Sequence, residues 1–396
     1  MIELPQRPWL TRNVVALGLV SLLTDSASEM IMPFLPLFVS TLPGGGALLL
    51  GVIEGGADTV ASILKLVAGR LSDKLGRKKP LMLAGYGLSS TVRPFMALAL
   101  VPWHVLAVRS TDRIGKGLRS SPRDALLSQS VAADHHGAAF GFHRAMDHAG
   151  AVIGPLLALA VIGLWTENLR IVFLLAGIPG LLAVLAILFG VREGPDAKPE
   201  ALQAASRFLA PSRGLRGLLI PIAIFTLGNA SDAFLLLKVG TENSSLIDLA
   251  LLWVGLHVVR SLASTPCGLL ADRIGHRLTI GIGWLWYSGV MLGMSLSQNQ
   301  TTTMLLFLCY GLFAGLTEGP QKALVARLAP KTATGTSFGW YHLTIGLLTL
   351  PANLAFGAIW QTWQSGTAFA YGAAMGGLAA ITLALTHATE QKPKNI

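Results

Sequence analysis

The feature that most constrains this chain is a charged ten-residue stretch that occurs twice, about 200 residues apart. The first copy reads GRLSDKLGRK from Gly69, and the second reads GLLADRIGHR from Gly268. Each copy follows a long apolar run, so the copies occupy matching positions in two halves of the sequence. This duplication predicts a helical membrane protein built from an internal repeat, and such bundles commonly carry solutes across membranes.

The composition is that of a chain that lies in a bilayer. Hydrophobic residues make up 52% and charged residues 13% of the chain, and its mean hydropathy is +0.60. A soluble protein of this size would carry about 25% charged residues. The formal net charge of +10 comes from basic residues in alternate short loops, which indicates membrane topology rather than nucleic-acid binding. Cys267 and Cys309 lie in apolar runs, so neither a disulfide framework nor a cysteine-rich metal site is predicted.

Apolar runs long enough to cross a bilayer, about 20 residues, occur twelve times. We predict spans near 13–40, 47–68, 80–101, 103–125, 139–163, 170–191, 217–239, 246–267, 278–297, 302–325, 336–360 and 366–387. The first run lacks a small-residue cleavage site, so we interpret it as a span rather than a signal peptide. Lys and Arg concentrate after every second span, which predicts that both termini lie in the cytoplasm.

The polar stretch 192–216 is rich in proline and basic residues and falls near the middle of the chain. We predict that it is a cytoplasmic linker between a six-helix bundle formed by 1–191 and a second bundle formed by 217–396. Other residues repeat between these halves at a constant offset: Gly117 with Gly315, Pro122 with Pro320, Ala125 with Ala323, Phe140 with Phe338 and Gly141 with Gly339. Near the start of each half, Ser28-Glu29 matches Ser231-Asp232.

With these motifs in place, the chain resembles the major facilitator superfamily over essentially its whole length. The signature of that family after its second span is Gly-x-x-x-Asp-Arg/Lys-x-Gly-Arg-Arg/Lys. Its fixed positions are occupied here by Gly69, Asp73, Lys74, Gly76, Arg77 and Lys78, and in a weaker second copy by Gly268, Asp272, Arg273, Gly275 and Arg277. The resemblance implies an all-α fold of two pseudo-symmetric six-helix bundles, latched by these loops on the cytoplasmic side. Glycine permits a tight turn there, and an aspartate can accept hydrogen bonds at a helix N-terminus.

Span 4 contains Arg113-Ile-Gly-Lys-Gly-Leu-Arg119, which is similar to the family motif Arg-x-x-Gln-Gly-x-Gly. The arginine of that motif is linked to proton coupling in the family. Lys116 replaces the glutamine and Arg119 the last glycine, and either Arg109 or Arg113 could fill the arginine position. Cations in hydrocarbon cost about 2.5–3.5 kcal/mol each, so these side chains should face a wet cavity or acids.

Span 5 contains Gly150-x-x-x-Gly154-Pro155, which is similar to an element associated with antiporters of the family. The usual trailing Gly-Gly is replaced by Ala158-Leu159. Gly-x-x-x-Gly is also a plain helix-packing motif, and that interpretation stays open beside antiport.

Ionisable residues inside spans are candidates for function because burying them is costly. Asp25 and Glu29 lie four apart and so on one face of span 1, which makes them the leading proton sites. Asp112 and Arg113 complete the predicted proton-coupling set, with Arg113 as the partner that the acids exchange for a proton. The alternative is a structural ion pair.

A second set of residues is predicted to line the substrate cavity. Its members are Glu54, Asp58, Arg93, Arg144, Asp147, Asp232, His257, Arg260 and Glu318. Arg144 and Asp147 could instead pair along one helix face. The ionisable residues are denser in the first half, which indicates that this half carries the coupling.

These observations predict a multi-pass secondary transporter of a bacterial inner membrane, working as a monomer by alternating access without a cofactor and driven by the proton gradient. Export of a small organic compound by proton antiport is the first hypothesis. Uptake of an organic anion is the alternative, and divalent-metal export through Asp25, Glu29 and His257 is weaker because no close ligand cluster supports it. No metal site or nucleic-acid partner is predicted. An enzyme is not predicted either, since no HExxH motif occurs and the histidines are dispersed along the chain.

Overall fold

The computed structural model describes residues 8–43, 47–193, 210–229, 231–240 and 246–386. In these ranges every regular element is helical. The first half of the sequence forms α1 (Arg12–Glu29), α2 (Leu35–Ser40), α3 (Ala47–Leu75), α4 (Lys79–Val92), α5 (Pro102–Gln129), α6 (His136–Leu164), α7 (Leu169–Leu175) and α8 (Gly177–Gly190). Short 3₁₀ turns cover Met32–Phe34, Arg93–Leu98 and Ala133–His135.

The second half repeats this pattern of long helices. It forms α9 (Arg213–Gly228), α10 (Asp232–Val239), α11 (Leu246–Ile274), α12 (His276–Leu296), α13 (Gln300–Leu328), α14 (Thr334–Thr362) and α15 (Ser365–Leu385). Each of the twelve predicted spans coincides with one helix or with two consecutive helices, so the all-α fold predicted from the apolar runs is confirmed.

Seven segments of the described chain are long and apolar enough to cross a membrane. They are Arg12–Phe34, Ala133–Leu164, Leu169–Gly190, Arg213–Val239, Gln300–Leu328, Thr334–Thr362 and Ser365–Leu385. The helix α5 has a suitable length, but seven charged residues between Arg109 and Asp124 lower its hydropathy. Its apolarity alone therefore does not identify it as a span.

The helices group into two compact units. Unit 1 contains residues 1–132, 146–208 and 332–342, and unit 2 contains residues 133–145, 209–331 and 343–396. Each unit thus includes a short segment from the other half of the sequence. Most of the predicted linker, residues 194–209, lies outside the described residues.

In unit 1, α5 packs against α3 and α4, and α8 packs against α1 and α4. One apolar core of this unit lies around the 3₁₀ turn after α1, where the rings of Phe38 and Phe173 meet edge to face with centroids 5.1 Å apart. Side chains such as Leu37 and Leu181 are exposed on the outside of the helices, as expected for surfaces that face lipid.

In unit 2, α11 packs against α13, α12 packs against α13 and α15, and α9 packs against α15. Its core is aromatic, since the rings of Phe225 and Trp284 stack with centroids 5.1 Å apart and Tyr287 and Phe313 surround them. Tyr287 is buried and donates a hydrogen bond from its hydroxyl to the Gly228 carbonyl (2.8 Å), so the end of α9 is satisfied.

Candidate functional site

Asp25 and Glu29 lie in the last two turns of α1, half-buried within unit 1. The helix ends at Glu29, and a 3₁₀ turn with Pro33 in its first positions follows. This face of α1 packs directly on α6. A Cβ at Gly150 would lie 3.0 Å from the Asp25 Cβ, and a Cβ at Gly154 would lie 2.7 Å from the Glu29 Cβ. The Gly150-x-x-x-Gly154 motif therefore lets α6 pass beside both acids, which is the packing role of such motifs.

Several charged groups act on these two carboxylates. Lys116 of α5 exerts the largest attraction on both Asp25 and Glu29, whereas Arg113 is the weakest of four cations that act on Glu29. Asp147 of α6 repels Asp25. The lysine that replaces the glutamine of the family motif therefore acts electrostatically on both span 1 acids.

Asp112 is held by arginines inside unit 1. Its Oδ1 lies 3.0 Å from Arg93 Nε, and its Oδ2 lies 3.7 Å from Arg109 Nη1, with all three side chains at most 6% exposed. Arg93 Nη1 also donates to the Thr24 carbonyl of α1 (2.9 Å). This network ties α1, α4 and α5 together, and two cations favour the ionised form of Asp112.

Arg119, one turn beyond Lys116, faces α4. Its Nη1 donates to Ser89 Oγ (2.5 Å), and its guanidinium carbon lies 4.6 Å from the centre of the Tyr86 ring. These contacts supply a hydrogen bond and a cation–π interaction to a buried cation. Arg119 is therefore engaged by α4.

In unit 2, a second polar site forms around Asp232, the first residue of α10. Its Oδ2 lies 2.8 Å from Arg260 Nη1 of α11, and its Oδ1 accepts a hydrogen bond from the Tyr310 hydroxyl of α13 (2.9 Å). Arg260 also lies over the Tyr310 ring, 5.3 Å from its centre. His257, one turn before Arg260, acts electrostatically on Asp232. The structure thus brings together three residues predicted from the sequence, Asp232, His257 and Arg260, and adds Tyr310.

Arg144 of α6 pairs with Glu318 of α13 within unit 2. Arg144 Nε lies 3.0 Å from Glu318 Oε2, and the side chains are 27% and 29% exposed. The alternative partner considered from the sequence, Asp147, belongs to unit 1. Glu318 also acts electrostatically on Arg260, which links this pair to the Asp232 site.

The first charged loop contacts the start of α14 within unit 1. The Asp73 carboxylate accepts hydrogen bonds from the backbone N–H of Gly335 (2.9 Å) and Thr336 (2.6 Å) and from the Thr336 hydroxyl (2.8 Å). Gly76 has φ = 67°, which favours glycine and sets the turn. Burial lowers the pKa of the Lys78 ammonium, and the charges of Asp73 and Glu193 oppose that shift.

The second charged loop makes the equivalent contact in unit 2. The Asp272 carboxylate accepts hydrogen bonds from the backbone N–H of Gly137 (2.7 Å) and Ala138 (2.8 Å) at the start of α6. Gly275 has φ = 101° at the turn, and the buried His276 lies 3.3 Å from Asp272 Oδ1. Arg77 and Arg273 are exposed.

Two predicted cavity residues, Glu54 and Asp58, lie in α3, but their side chains fall outside the described part of the structure. Sequence reasoning missed Lys116 as the main cation near the span 1 acids and Tyr310 as a partner of Asp232. For Lys116, the replacement of the motif glutamine by lysine was the available signal. For Tyr310, no pattern in the sequence indicated a role.

These observations define a class: an all-α, multi-pass membrane protein with an internal repeat and buried ion pairs inside each unit. A sequence model of the Major Facilitator Superfamily matches residues 17–256 and 242–396. The chain therefore belongs to the major facilitator superfamily, and it is a membrane transporter rather than an enzyme.

Relatives agree with this assignment. The chain is 32% identical over 380 residues to an MFS-type transporter of Methanocaldococcus jannaschii, with 94% of each chain covered. It is 26% identical over 358 residues to a multi-drug resistance efflux pump PmrA homolog of Lactococcus lactis, with 86% of each covered. The fold is similar to that of the human organic anion transporter MFSD10, with a TM-score of 0.78, 16% identity and coverage of 96% of this chain and 100% of that one.

Proposed function

We propose that this transporter works by alternating access and couples the export of a small organic compound to proton entry. The observation that carries the proposal is the position of Asp25 and Glu29, two acids at the end of α1 that α6 approaches through Gly150 and Gly154. Acids inside a membrane span commonly belong to proton or substrate pathways.

In the proposed cycle, Asp25 and Glu29 bind and release the transported proton. Lys116 is the cation that holds the deprotonated acids, and Arg113 supplies a weaker attraction to Glu29. Protonation neutralises an acid and removes its attraction to Lys116, which frees that lysine to seek other partners. Asp112 stays paired with Arg93 and Arg109, so its part is to position α1 against α4 and α5 rather than to carry the proton.

The substrate is proposed to contact the polar site of unit 2. Asp232, Arg260 and Tyr310 offer a carboxylate, a guanidinium and an aromatic face within a few ångströms, which suits a small organic compound with polar and aromatic parts. The Lactococcus relative is named as an efflux pump, which supports export.

Uptake of an organic anion is the second candidate. Three arginines that pair with acids inside the units, Arg93, Arg144 and Arg260, favour an anionic substrate. The human structural neighbour is named as an organic anion transporter, which supports the same substrate class. Divalent-metal export has less support, since the described residues contain no group of three His, Cys, Asp or Glu side chains that could hold a metal ion.

The charged loops are proposed to act as a cytoplasmic latch. Asp73 and Asp272 bind the N-termini of α14 and α6, where the helix dipole favours a negative charge. The excess of Lys and Arg in these loops supports a cytoplasmic position for them and for both termini. We assign the protein to the inner membrane of a bacterium as a monomer.

The test is proton movement in proteoliposomes that hold a lumenal pH dye. Organic cations, organic anions and divalent metals are added in turn under an imposed pH gradient. A compound of one class should dissipate the gradient, and Asp25→Asn or Glu29→Gln should abolish the response. Asp134→Asn is the matched control, because that side chain is 70% exposed. Substrate flux without proton movement would refute the coupling.

A further inference from the structure

A histidine–aspartate pair that is largely buried in unit 1 has no part in the proposed coupling site. His342 Nε2 of α14 lies 2.9 Å from Asp124 Oδ2 of α5, and the Asp124 side chain is 0% exposed. The other carboxylate oxygen lies 3.0 Å from Arg123 Nε and 2.9 Å from Arg123 Nη2. We propose that His342 and Asp124 form a second proton-binding site, whose protonation sets how firmly the start of α14 is held to α5.

The direction of the effect follows from the chemistry of the pair. Imidazole is the side chain that ordinarily changes charge between about pH 5 and 8. A neutral imidazole donates a hydrogen bond to the carboxylate, whereas an imidazolium adds the attraction between opposite charges to that bond. Proton binding at His342 therefore strengthens the contact between α14 and α5, and proton release weakens it.

The surroundings of the pair contain charges of both signs. Arg123 is paired with Asp124 and repels a positive charge on His342. Asp147 of α6 and Tyr86 of α4 also interact with Arg123. Arg119 of α5 also acts on Arg123, and the Lys65 carbonyl of α3 lies beside Gly339 of α14. The ring of Tyr341 lies 5.2 Å from that of His342.

The internal repeat supplies a built-in comparison. Arg144 of α6 occupies the position equivalent to His342, at the offset that relates Gly141 to Gly339. Arg144 pairs with Glu318 across 3.0 Å in unit 2, and a guanidinium stays charged throughout the physiological range. The same place in the repeat thus carries a permanent cation in unit 2 and a titratable one in unit 1.

A second anchor acts on the same segment of α14. Asp73 binds the backbone of Gly335 and Thr336, less than two turns before His342. The start of α14 is therefore held at two points in unit 1, and His342 makes one of them dependent on pH. This inference goes beyond the coupling at Asp25 and Glu29 and needs no knowledge of the substrate.

Hydrogen–deuterium exchange of the protein in nanodiscs tests the proposal. The amides of 335–341 are compared between wild type, His342→Gln and His342→Arg at about pH 5.5 and about pH 7.5. Comparing variants at one pH cancels the pH dependence of intrinsic exchange. At the lower pH, wild type should match His342→Arg, and His342→Gln should exchange about fivefold faster. At the higher pH, wild type should match His342→Gln.

Two further variants keep the test decisive. In an Asp124→Asn background, His342→Arg should no longer protect 335–341. Arg144→His should change the exchange of 137–143, measured relative to wild type at the same pH, by different factors at the two pH values. If the exchange rates of 335–341 in wild type and in His342→Gln have the same ratio at both pH values, the proposal is wrong. Failure of the flux test at Asp25 and Glu29 would leave this exchange pattern intact, so the two proposals fail separately.

Discussion

Glu29 and Asp232 occupy equivalent places in the two halves, and each lies at a break in the helix of its span. Glu29 is the last residue of α1, and Asp232 is the first residue of α10, with its Oδ2 2.8 Å from Arg260. Discontinuous helices in transporters commonly mark binding sites, because broken helices present polar groups at membrane depth. The repeat thus places one acid at a helix break in each unit.

Enlarging the glycines that face α1 should destabilise the protein. A Cβ at Gly154 would lie 2.7 Å from both the Ser26 carbonyl oxygen and the Glu29 Cβ, so Gly154→Ala forces the helices apart. We expect a loss of about 1–3 kcal/mol and a lower melting temperature in a thermal-shift assay. Gly163→Ala on the same helix is the control, since nothing lies within 4 Å of its Cβ position. Equal melting temperatures for the two variants would contradict this packing.

Removing the charge of Asp73 should weaken the start of α14. Asp73→Asn loses charge-assisted hydrogen bonds to Gly335 and Thr336, each of which contributes about 1.5–3 kcal/mol. We expect faster amide exchange in 335–337 and a lower transport rate. Asp272→Asn should do the same for 137–138. The assignment would be contradicted if Asp73→Asn changed amide exchange only at 137–138, or if Asp272→Asn changed it only at 335–337.

The Asp232–Arg260 pair should behave as a buried unit in a double-mutant cycle. Asp232→Asn leaves the buried Arg260 without its partner, which costs about 3–5 kcal/mol. Arg260→Gln should cost less, because the Asp232 side chain that it leaves is 23% exposed. The double variant should cost clearly less than the sum of the two single variants. Chemical denaturation in detergent measures all four proteins. Strict additivity would show that the two side chains do not interact.

Lys116, rather than Arg113, should control the pH dependence of transport. A positive charge favours ionised carboxylates, and Lys116 exerts the largest attraction on Asp25 and Glu29. Lys116→Met should therefore move the half-maximal pH of proton-coupled flux upward, and Arg113→Met should move it less. The flux assay in proteoliposomes gives both profiles. If Arg113→Met shifted the half-maximal pH more than Lys116→Met does, Arg113 would be the main partner of the two acids.

The sequence was sufficient for the spans, the repeat and the residues of both charged loops, because apolar length and turn chemistry are local properties. It was not sufficient for partners on distant helices. Whether Arg144 of α6 meets Glu318 of α13 depends on the rotation of both helices, and an apolar run does not encode that rotation. The sequence could have identified His342 as a candidate, because the offset that pairs Gly141 with Gly339 also pairs Arg144 with His342.

The glycines of the charged loops have a kinetic consequence. A Cβ at Gly69 would overlap the Gly335 carbonyl, and one at Gly268 would overlap that of Gly137, so bare backbone meets bare backbone at both places. The side chains around them, such as Ser121 at Gly69 and Asp272 at Gly137, are short, so little side-chain repacking is needed to part these surfaces. In the proposed cycle, the contacts can therefore open and re-form quickly once the hydrogen bonds of Asp73 and Asp272 break.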